Sequence, residues 1–334
     1  MKIFAVIAAV VVVILAGLLG VYGTMRAGLW APRYDKVVAR WAASPADRFI
    51  KVDGVNLHVT DEGQGPVVVL LHGSIINLHE WDPVVDRLKA NYRLIRLDWP
   101  PYGVSGQDPT GVYTTPRETE LLAELVEQMH LGRFAVVSTS NGANIALQYV
   151  SDHPEHVQAM AFSILPLVRP SQTRKVDPVL KNLAAFHAAY LPDYHPKYWW
   201  RLMLRDTTNK SFHPPARLVD MLYDMDNLPG AAQRQRAFIA ANVKLFHSVN
   251  VAGLAAKVRV PVLLQWCALD TVIAQSQAQS VADFANTHVD LITYKDLGHF
   301  PMWEDPDRFT GDLKTFLDRV MARSASAPAE PAHA

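Results

Sequence analysis

The chain has 334 residues, half of them hydrophobic, with 32 basic and 32 acidic side chains. That length accommodates one large α/β domain or two ordinary ones, and the balanced charge gives no electrostatic footprint for nucleic acid. The single cysteine, Cys267, excludes an intrachain disulfide framework. The sequence also lacks a C-x-x-C pair, an H-E-x-x-H motif and a G-x-x-x-x-G-K-[ST] phosphate loop, so neither a metal nor a cofactor is expected.

The first element is "IFAVIAAVVVVILAGLLGVY", residues 3–22, a run without a charge. As a helix it covers the ~30 Å of a bilayer's hydrocarbon. It exceeds the roughly 7–15 residues of a signal-peptide core, and no A-x-A site closes it. An uncleaved single-pass transmembrane anchor is therefore expected, with a cleaved signal peptide and secretion as the competing reading. Arg26, Arg33, Lys36 and Arg40 follow the span and favour a cytoplasmic body. The basic start and short tail favour export instead, so the side of the membrane stays open. Residues 23–48 read as a juxtamembrane linker with a short amphipathic helix around Tyr34–Trp41.

From residue 49 strand signals begin. "RFIKVDG" and "VNLHVTDEG" form a hairpin pattern turning at Asp53-Gly54. "PVVVLLHG" (66–73) is a continuous apolar run, as expected for a strand buried on both faces of a parallel sheet. "YRLIRLD" (92–98), "RFAVVST" (133–139) and "VQAMAFSIL" (157–165) repeat it, separated by helical stretches near 81–90, 116–130 and 142–152. This alternation predicts an α/β fold with a mostly parallel sheet flanked by helices. Residues 169–250 break the alternation with four helix-like stretches and no buried strand. An insert of that length is too long for a loop and reads as a helical cap. The strands resume at "PVLLQWC" and "VDLITYKD", so residues 49–168 and 251–321 form one core that ends in a helix from about Asp307 to Met321. The tail 322–334 is small, polar and Pro-containing, and is expected to be disordered.

The stretch "FAVVSTSNGANIALQYV" (134–150) carries the chemistry. A β-branched run leads through a small-residue turn into an apolar helix, with Ser140 at the turn between Ser138 and Gly142. A serine held there is either a nucleophile or an ordinary helix N-cap. A nucleophilic serine needs a base and an oriented acid. Asp270 lies three residues beyond the strand "PVLLQWC", and His299 follows Gly298 shortly after the last strand. Both fall at strand C-terminal ends, where an open parallel sheet presents its crevice. Asp296 and Asp305 are read as caps of the turns around His299. His153 and His156 sit three apart but flank Pro154 at a helix end, and are not assigned to a metal.

Five motifs stand in order: "LLHGS…W" (70–81), "LDWPPYGVSG" (97–106), "STSNGA" (138–143), "PVLLQWCALD" (261–270) and "GHFPMWEDPDRF" (298–309). On these residues the chain, from about 49 to 320, resembles the α/β-hydrolase superfamily, in its capped branch of esterases, epoxide hydrolases, haloalkane dehalogenases and C–C bond hydrolases. The resemblance implies a triad of Ser140, Asp270 and His299, in the family's order of nucleophile, acid and base. It also implies an oxyanion hole from the amides of Asn141 and of Ser74, ahead of Ile75. His72 is expected to be a packing residue of its turn. Ser138, Pro101 and Cys267 each replace a glycine of the family pattern without removing a catalytic group.

Epoxide hydrolases and dehalogenases of this branch use aspartate, so the serine points to acyl chemistry. The expected function is a membrane-anchored serine hydrolase that cleaves a small hydrophobic ester or related acyl substrate. A C–C hydrolase of diketone-type substrates is the enzymatic alternative, and a low-turnover hydrolase-like binding protein is the non-enzymatic one. Phe186, Tyr190, Trp199 and Trp200, together with Tyr198 and Phe212, are candidates for an apolar substrate wall, each against the plainer reading of cap core. No feature of the sequence specifies an oligomer.

Overall fold

In the computed structural model, which describes residues 2–166, 176–245, 250–273 and 277–326, eight strands make one sheet. They are β1 Asp47–Val52, β2 Val55–Glu62, β3 Val67–Leu71, β4 Arg93–Leu97, β5 Phe134–Thr139, β6 Val157–Ser163, β7 Val262–Cys267 and β8 Val289–Tyr294. Their order is β1-β2-β4-β3-β5-β6-β7-β8. Only β1/β2 and β2/β4 pair antiparallel; every later pair is parallel. The β1–β2 hairpin turns at Asp53 (φ 42°) and Gly54 (φ 84°), with Val52 opposite Val55. Two consecutive positive-φ residues give the tight turn whose twist matches paired strands.

The parallel strands are apolar on both faces because both faces are covered. Val68, Leu70, Ala135 and Val137 belong to one buried cluster, whereas Val69, Leu71, Phe134 and Val136 belong to the other. Successive side chains on a strand point to opposite faces, so one short run feeds two cores. The helices Thr115–Gln128 and Asn141–Asp152 line the second cluster, and Asp82–Leu88 and Pro306–Ser326 line the first.

Between β6 and β7 the described residues form five helices: Pro178–Tyr190, Lys197–Thr207, Ala216–Asp226 and Ala231–Leu245 in the insert, then the short Val251–Ala255. Trp200, Leu204, Leu218 and Leu222 join the first cluster, which ties this insert to the core. The expected cap boundaries fall partly on residues 169–175 and 246–249, outside the described residues.

The N-terminal helix runs Lys2–Arg26, four residues past the expected end. Gly23 stays in the helix, and Gly28 is the first glycine with a positive φ (71°), in the turn that follows. Residues 23–48 are more than a linker. Within them the helix Tyr34–Trp41 buries Val37 and Trp41, and the Tyr34 hydroxyl donates to the Val104 carbonyl at 2.7 Å. Its Arg40 pairs with Asp220 and Asp224 of the insert, and the Trp41 indole also donates to Asp224 (2.8 Å). The tail expectation was placed too early, because the last helix continues to Ser326. "ARSAS" offers no proline to stop it; residues 327–334 lie outside the described residues. A helix over Gln277–Asp283, between β7 and β8, has no counterpart in the sequence reading.

Candidate active site

β5 ends at Thr139 and the next helix begins at Asn141, so the chain reverses direction at one residue. That residue, Ser140, has φ 48° and ψ −128°, a conformation that costs a non-glycine residue roughly 1–3 kcal/mol. Its amide donates to the carbonyls of Ser163 (3.3 Å), the last residue of β6, and Ile164 (3.1 Å), which hold the turn in place. The neighbours must be small for steric reasons. A Cβ on Gly142 would stand 2.5 Å from the His72 carbonyl oxygen and 2.7 Å from that of Leu71. Ser138 is fully buried between Leu71 of β3 and Phe162 of β6. Its hydroxyl has no hydrogen-bond partner among the described residues, so the serine places an unpaired polar atom where glycine would place none.

Asp270 and His299 meet. The His299 Nδ1 lies 3.0 and 3.1 Å from the two carboxylate oxygens of Asp270, although 29 residues separate them. Both side chains are well shielded, with 13% of His299 and 3% of Asp270 exposed. The amides of Val272 (2.7 Å) and Ile273 (3.2 Å) also donate to Asp270 Oδ1, locking the carboxylate. A carboxylate only accepts, so Nδ1 carries the proton and Nε2 is left as the basic nitrogen. The turn carrying His299 is pressed against the insert. The His299 amide donates to the Thr207 carbonyl at 2.8 Å, and a Cβ on Gly298 would come within 2.6 Å of that oxygen.

Facing Ser140 is the turn after β3. A Cβ on Gly73 would lie 3.1 Å from the Ser140 Cβ. His72 is fully buried, stacked on Trp99 (4.8 Å between rings, 9° between planes). Burial pushes its pKa down to about 4, against the pull of Asp98. Its Nε2 accepts the Trp99 amide and its Nδ1 donates to the Gly73 carbonyl, so it is a neutral structural imidazole. Next to it, the Ser74 hydroxyl accepts from the Asn141 side-chain amide at 2.6 Å. This contact joins the two residues expected to supply oxyanion donors.

Two carboxylates escaped the sequence reading. Glu80, 2% exposed, accepts the Gly73 amide through Oε2 at 2.8 Å. Burial drives its pKa up to about 7, opposed by the Gly73 hydrogen bond and by the charge of His299. With the Gly73 N–H thus taken, Ser74 carries the next amide along the turn. Glu304 accepts the amides of Asn209, Gly298 and Phe300, bracing the His299 turn against the insert; burial raises its pKa too. The signal for Glu80 was present, since it is the one acid within "LLHGSIINLHEW". Asp305 accepts the Arg308 amide and Asp296 pairs with Arg308, both away from the imidazole.

The four aromatics expected to line a pocket differ in burial. Trp200 is 3% exposed, in the packed core of the insert, and Trp199 stacks half-buried on His195. Phe186 and Tyr190 are about half exposed. At the opposite ends of the strands, His153, Glu155 and His156 bring ligand atoms within 4.8 Å of one another. There Tyr149 occupies the His156 Nδ1 (2.7 Å).

Residues 66–306, more than half the chain, match the family of the α/β-hydrolase fold, and the chain belongs to that family. It is a hydrolase by the relatives it matches. One is the 2-hydroxy-6-oxononadienedioate/2-hydroxy-6-oxononatrienedioate hydrolase of Klebsiella pneumoniae subsp. pneumoniae. It is 24% identical over 299 residues, covering 82% of this chain and 96% of the relative. Among solved structures, a membrane phospholipase A superposes with a TM-score of 0.67 at 22% identity, over 96% of this chain and 99% of its own. The 2-hydroxy-6-oxo-6-phenylhexa-2,4-dienoate hydrolase of Rhodococcus sp. strain RHA1 gives 0.68 at 19% identity, over 81% and 99%.

Proposed function

We propose that the protein is a membrane-anchored serine hydrolase that cleaves a carboxylic ester of a small hydrophobic acyl substrate through an acyl-enzyme on Ser140. The observation that carries this reading is the strained Ser140 turn, together with a His299–Asp270 pair at neighbouring strand ends. In this reading His299 Nε2 takes the Ser140 proton as Oγ attacks the ester carbonyl. Asp270 holds the tautomer and offsets the imidazolium charge. The amides of Asn141 and Ser74 receive the oxyanion. Collapse expels the alcohol, which leaves with the proton from His299, and water repeats the sequence to release the acid. The helices between β6 and β7 act as a cap. The anchor reading draws support from the 25 residues of the first helix and from a likeness to a membrane phospholipase A that extends over nearly the whole chain.

Cleavage of a C–C bond in a diketone is the second reading, favoured by the match to nearly the full length of the Klebsiella hydrolase. The same serine, base and oxyanion donors would serve it. The test is fluorophosphonate labelling of the wild type beside Ser140→Ala, followed by p-nitrophenyl esters of increasing chain length and a vinylogous diketone followed by absorbance. Labelling that disappears in the variant, with ester turnover at one preferred length, supports the esterase; diketone turnover alone supports the alternative. Labelling without turnover of either points to a binding role, and Ser140→Ala with full activity sinks the proposal.

A further inference from the structure

The helix Pro178–Tyr190, "PVLKNLAAFHAAY", has one charged residue, Lys181. A helix this apolar is ordinarily covered on most sides. Here only Leu180 and His187 are buried, while Val179, Phe186 and Tyr190 are 63, 48 and 54% exposed. Spacings of seven and four residues put these three on one stripe, and the Phe186 and Tyr190 rings lie 5.2 Å apart.

This stripe is continuous with the end of the N-terminal helix. The Tyr22 hydroxyl, in that helix's last turns, donates to the Tyr190 carbonyl at 3.2 Å. Trp30 sets its edge against Tyr194 with ring centroids 6.1 Å apart. Leu29, Trp30 and Tyr34 are themselves 73, 44 and 45% exposed. The geometry between helix and body is fixed as well. Residues 27–33 form an internally bonded turn, with the Trp30 indole donating to Thr24 Oγ1 at 2.9 Å and the Ala31 amide to the Gly28 carbonyl at 3.1 Å. The helix after it is clamped to the insert through Arg40 and Trp41.

We propose that the stripe Val179–Phe186–Tyr190 and the adjoining Leu29–Trp30 segment rest on the bilayer that holds the N-terminal helix, so that the insert above Ser140 is bounded by lipid on its outer side. The proposal rests on the anchored reading above. Tyrosine and tryptophan suit the boundary between headgroup and hydrocarbon, where one end of the ring system is wet and the other apolar. Exposed Arg26 and Lys36 stand at the same exit, beside Arg33, whose charge is offset by Asp35, and the two remaining cations are drawn to anionic headgroups. The inner side of the insert reaches the site, since its Thr207 carbonyl holds the His299 amide. Only the helix Lys197–Thr207 separates the two sides in sequence, and its Trp199 packs on His187 of the lipid-facing helix (5.2 Å). An ester presented from the membrane therefore meets the insert before it meets water.

The test uses the full-length chain in vesicles of phosphatidylcholine with one-fifth phosphatidylglycerol. Val179→Cys and, as a reference on the last helix, Lys314→Cys are nitroxide-labelled; the native Cys267 is buried. The label at 179 is expected to collide more with oxygen than with a water-soluble nickel chelate, and the label at 314 the reverse. Equal profiles, or spin–spin broadening at 179 from a second copy of the chain, overturn the proposal. Val179→Glu with Leu29→Glu is then assayed on a long-chain ester embedded in the vesicles and on a soluble acetate ester. A loss of about tenfold on the embedded ester with the soluble rate unchanged supports docking, and equal rates on both overturn it. If the chain fails to float with the vesicles, the anchored reading falls and docking with it. If the chain floats but turns over neither ester, the serine-hydrolase reading falls while the label profile still decides docking.

Discussion

The turns at the C-terminal ends of the strands and the helices inserted between β6 and β7 are held by different interactions. Around Ser140 the constraint is backbone against backbone. Gly142 lies under the His72 and Leu71 carbonyls, and Gly298 lies against Thr207. Buried Glu80 and half-buried Glu304 take the amide protons of Gly73 and Gly298. Away from Thr207 the insert is held mainly by side chains: Arg40 and Lys197 on Asp220, Trp41 on Asp224, and a patch of leucines around Trp200. Sites of the first kind tolerate almost no added atom, because interiors are close-packed and buried polar groups must be paired. The second kind can exchange side chains without crowding the Ser140 turn. The difference teaches that the geometry around Ser140 is fixed by steric necessity, while the packing of the insert leaves more room for change.

Substitutions sharpen this contrast in order of size. Asp270→Asn keeps the shape of the acid but removes the charge that orients His299, and kcat is expected to fall about 10⁴-fold. Steady-state ester turnover, with circular dichroism to show an intact fold, checks it; a loss below tenfold would break the triad assignment. Gly142→Ala adds one methyl group where 2.5 Å is available. Overpacking of this kind costs about 1–3 kcal/mol, visible as a lower denaturant midpoint together with reduced kcat. An equally small addition on the insert, Ala188→Ser at an exposed position, is expected to change neither.

Glu80→Gln keeps an acceptor for the Gly73 amide but cannot ionise. With its pKa pushed up to about 7 by burial, Glu80 gains its charge only in the upper part of the working range. Its replacement is therefore expected to change the kcat/KM profile only above about pH 7, measured between pH 5 and 9, with rates below pH 7 within about tenfold. A profile that does not move removes the electrostatic role and leaves Glu80 as a brace.

The last test reads stability rather than rate and concerns the frame of the sheet. His58 is fully buried between Asp47 of β1 and Asp98 after β4, at 2.8 and 2.7 Å. Burial opposes its charge, but the two aspartates outweigh burial and raise its pKa from 6.5 to about 9. A folded pKa above the unfolded one stabilises fully below pH 6.5, and the contribution is lost as pH rises through 9. The urea midpoint should decline across that window, and His58→Gln should flatten the decline.

Much of the fold was legible because it follows from local chemistry. Doubly apolar runs declare parallel strands, Asp53-Gly54 declares a hairpin, and Ser140 between Ser138 and Gly142 declares a turn with no room for larger neighbours. The stop at residue 322 was misplaced because nothing in the local sequence ends a helix there.

By itself the sequence determined the order of the strands' chemistry: the serine turn, then Asp270, then His299, each at a strand end, and a first helix long enough to span hydrocarbon. Small residues at fixed spacings are imposed by the backbone and so can be read without knowing what surrounds them. Only the tertiary structure decided that Glu80 braces the turn opposite Ser140, that Glu304 braces the His299 turn, and that Trp200 is core while Phe186 and Tyr190 are exposed. It alone also showed that the segment after the first helix is clamped to the insert. Helical periodicity tells which side chains share a face, but what covers that face depends on neighbours distant in sequence.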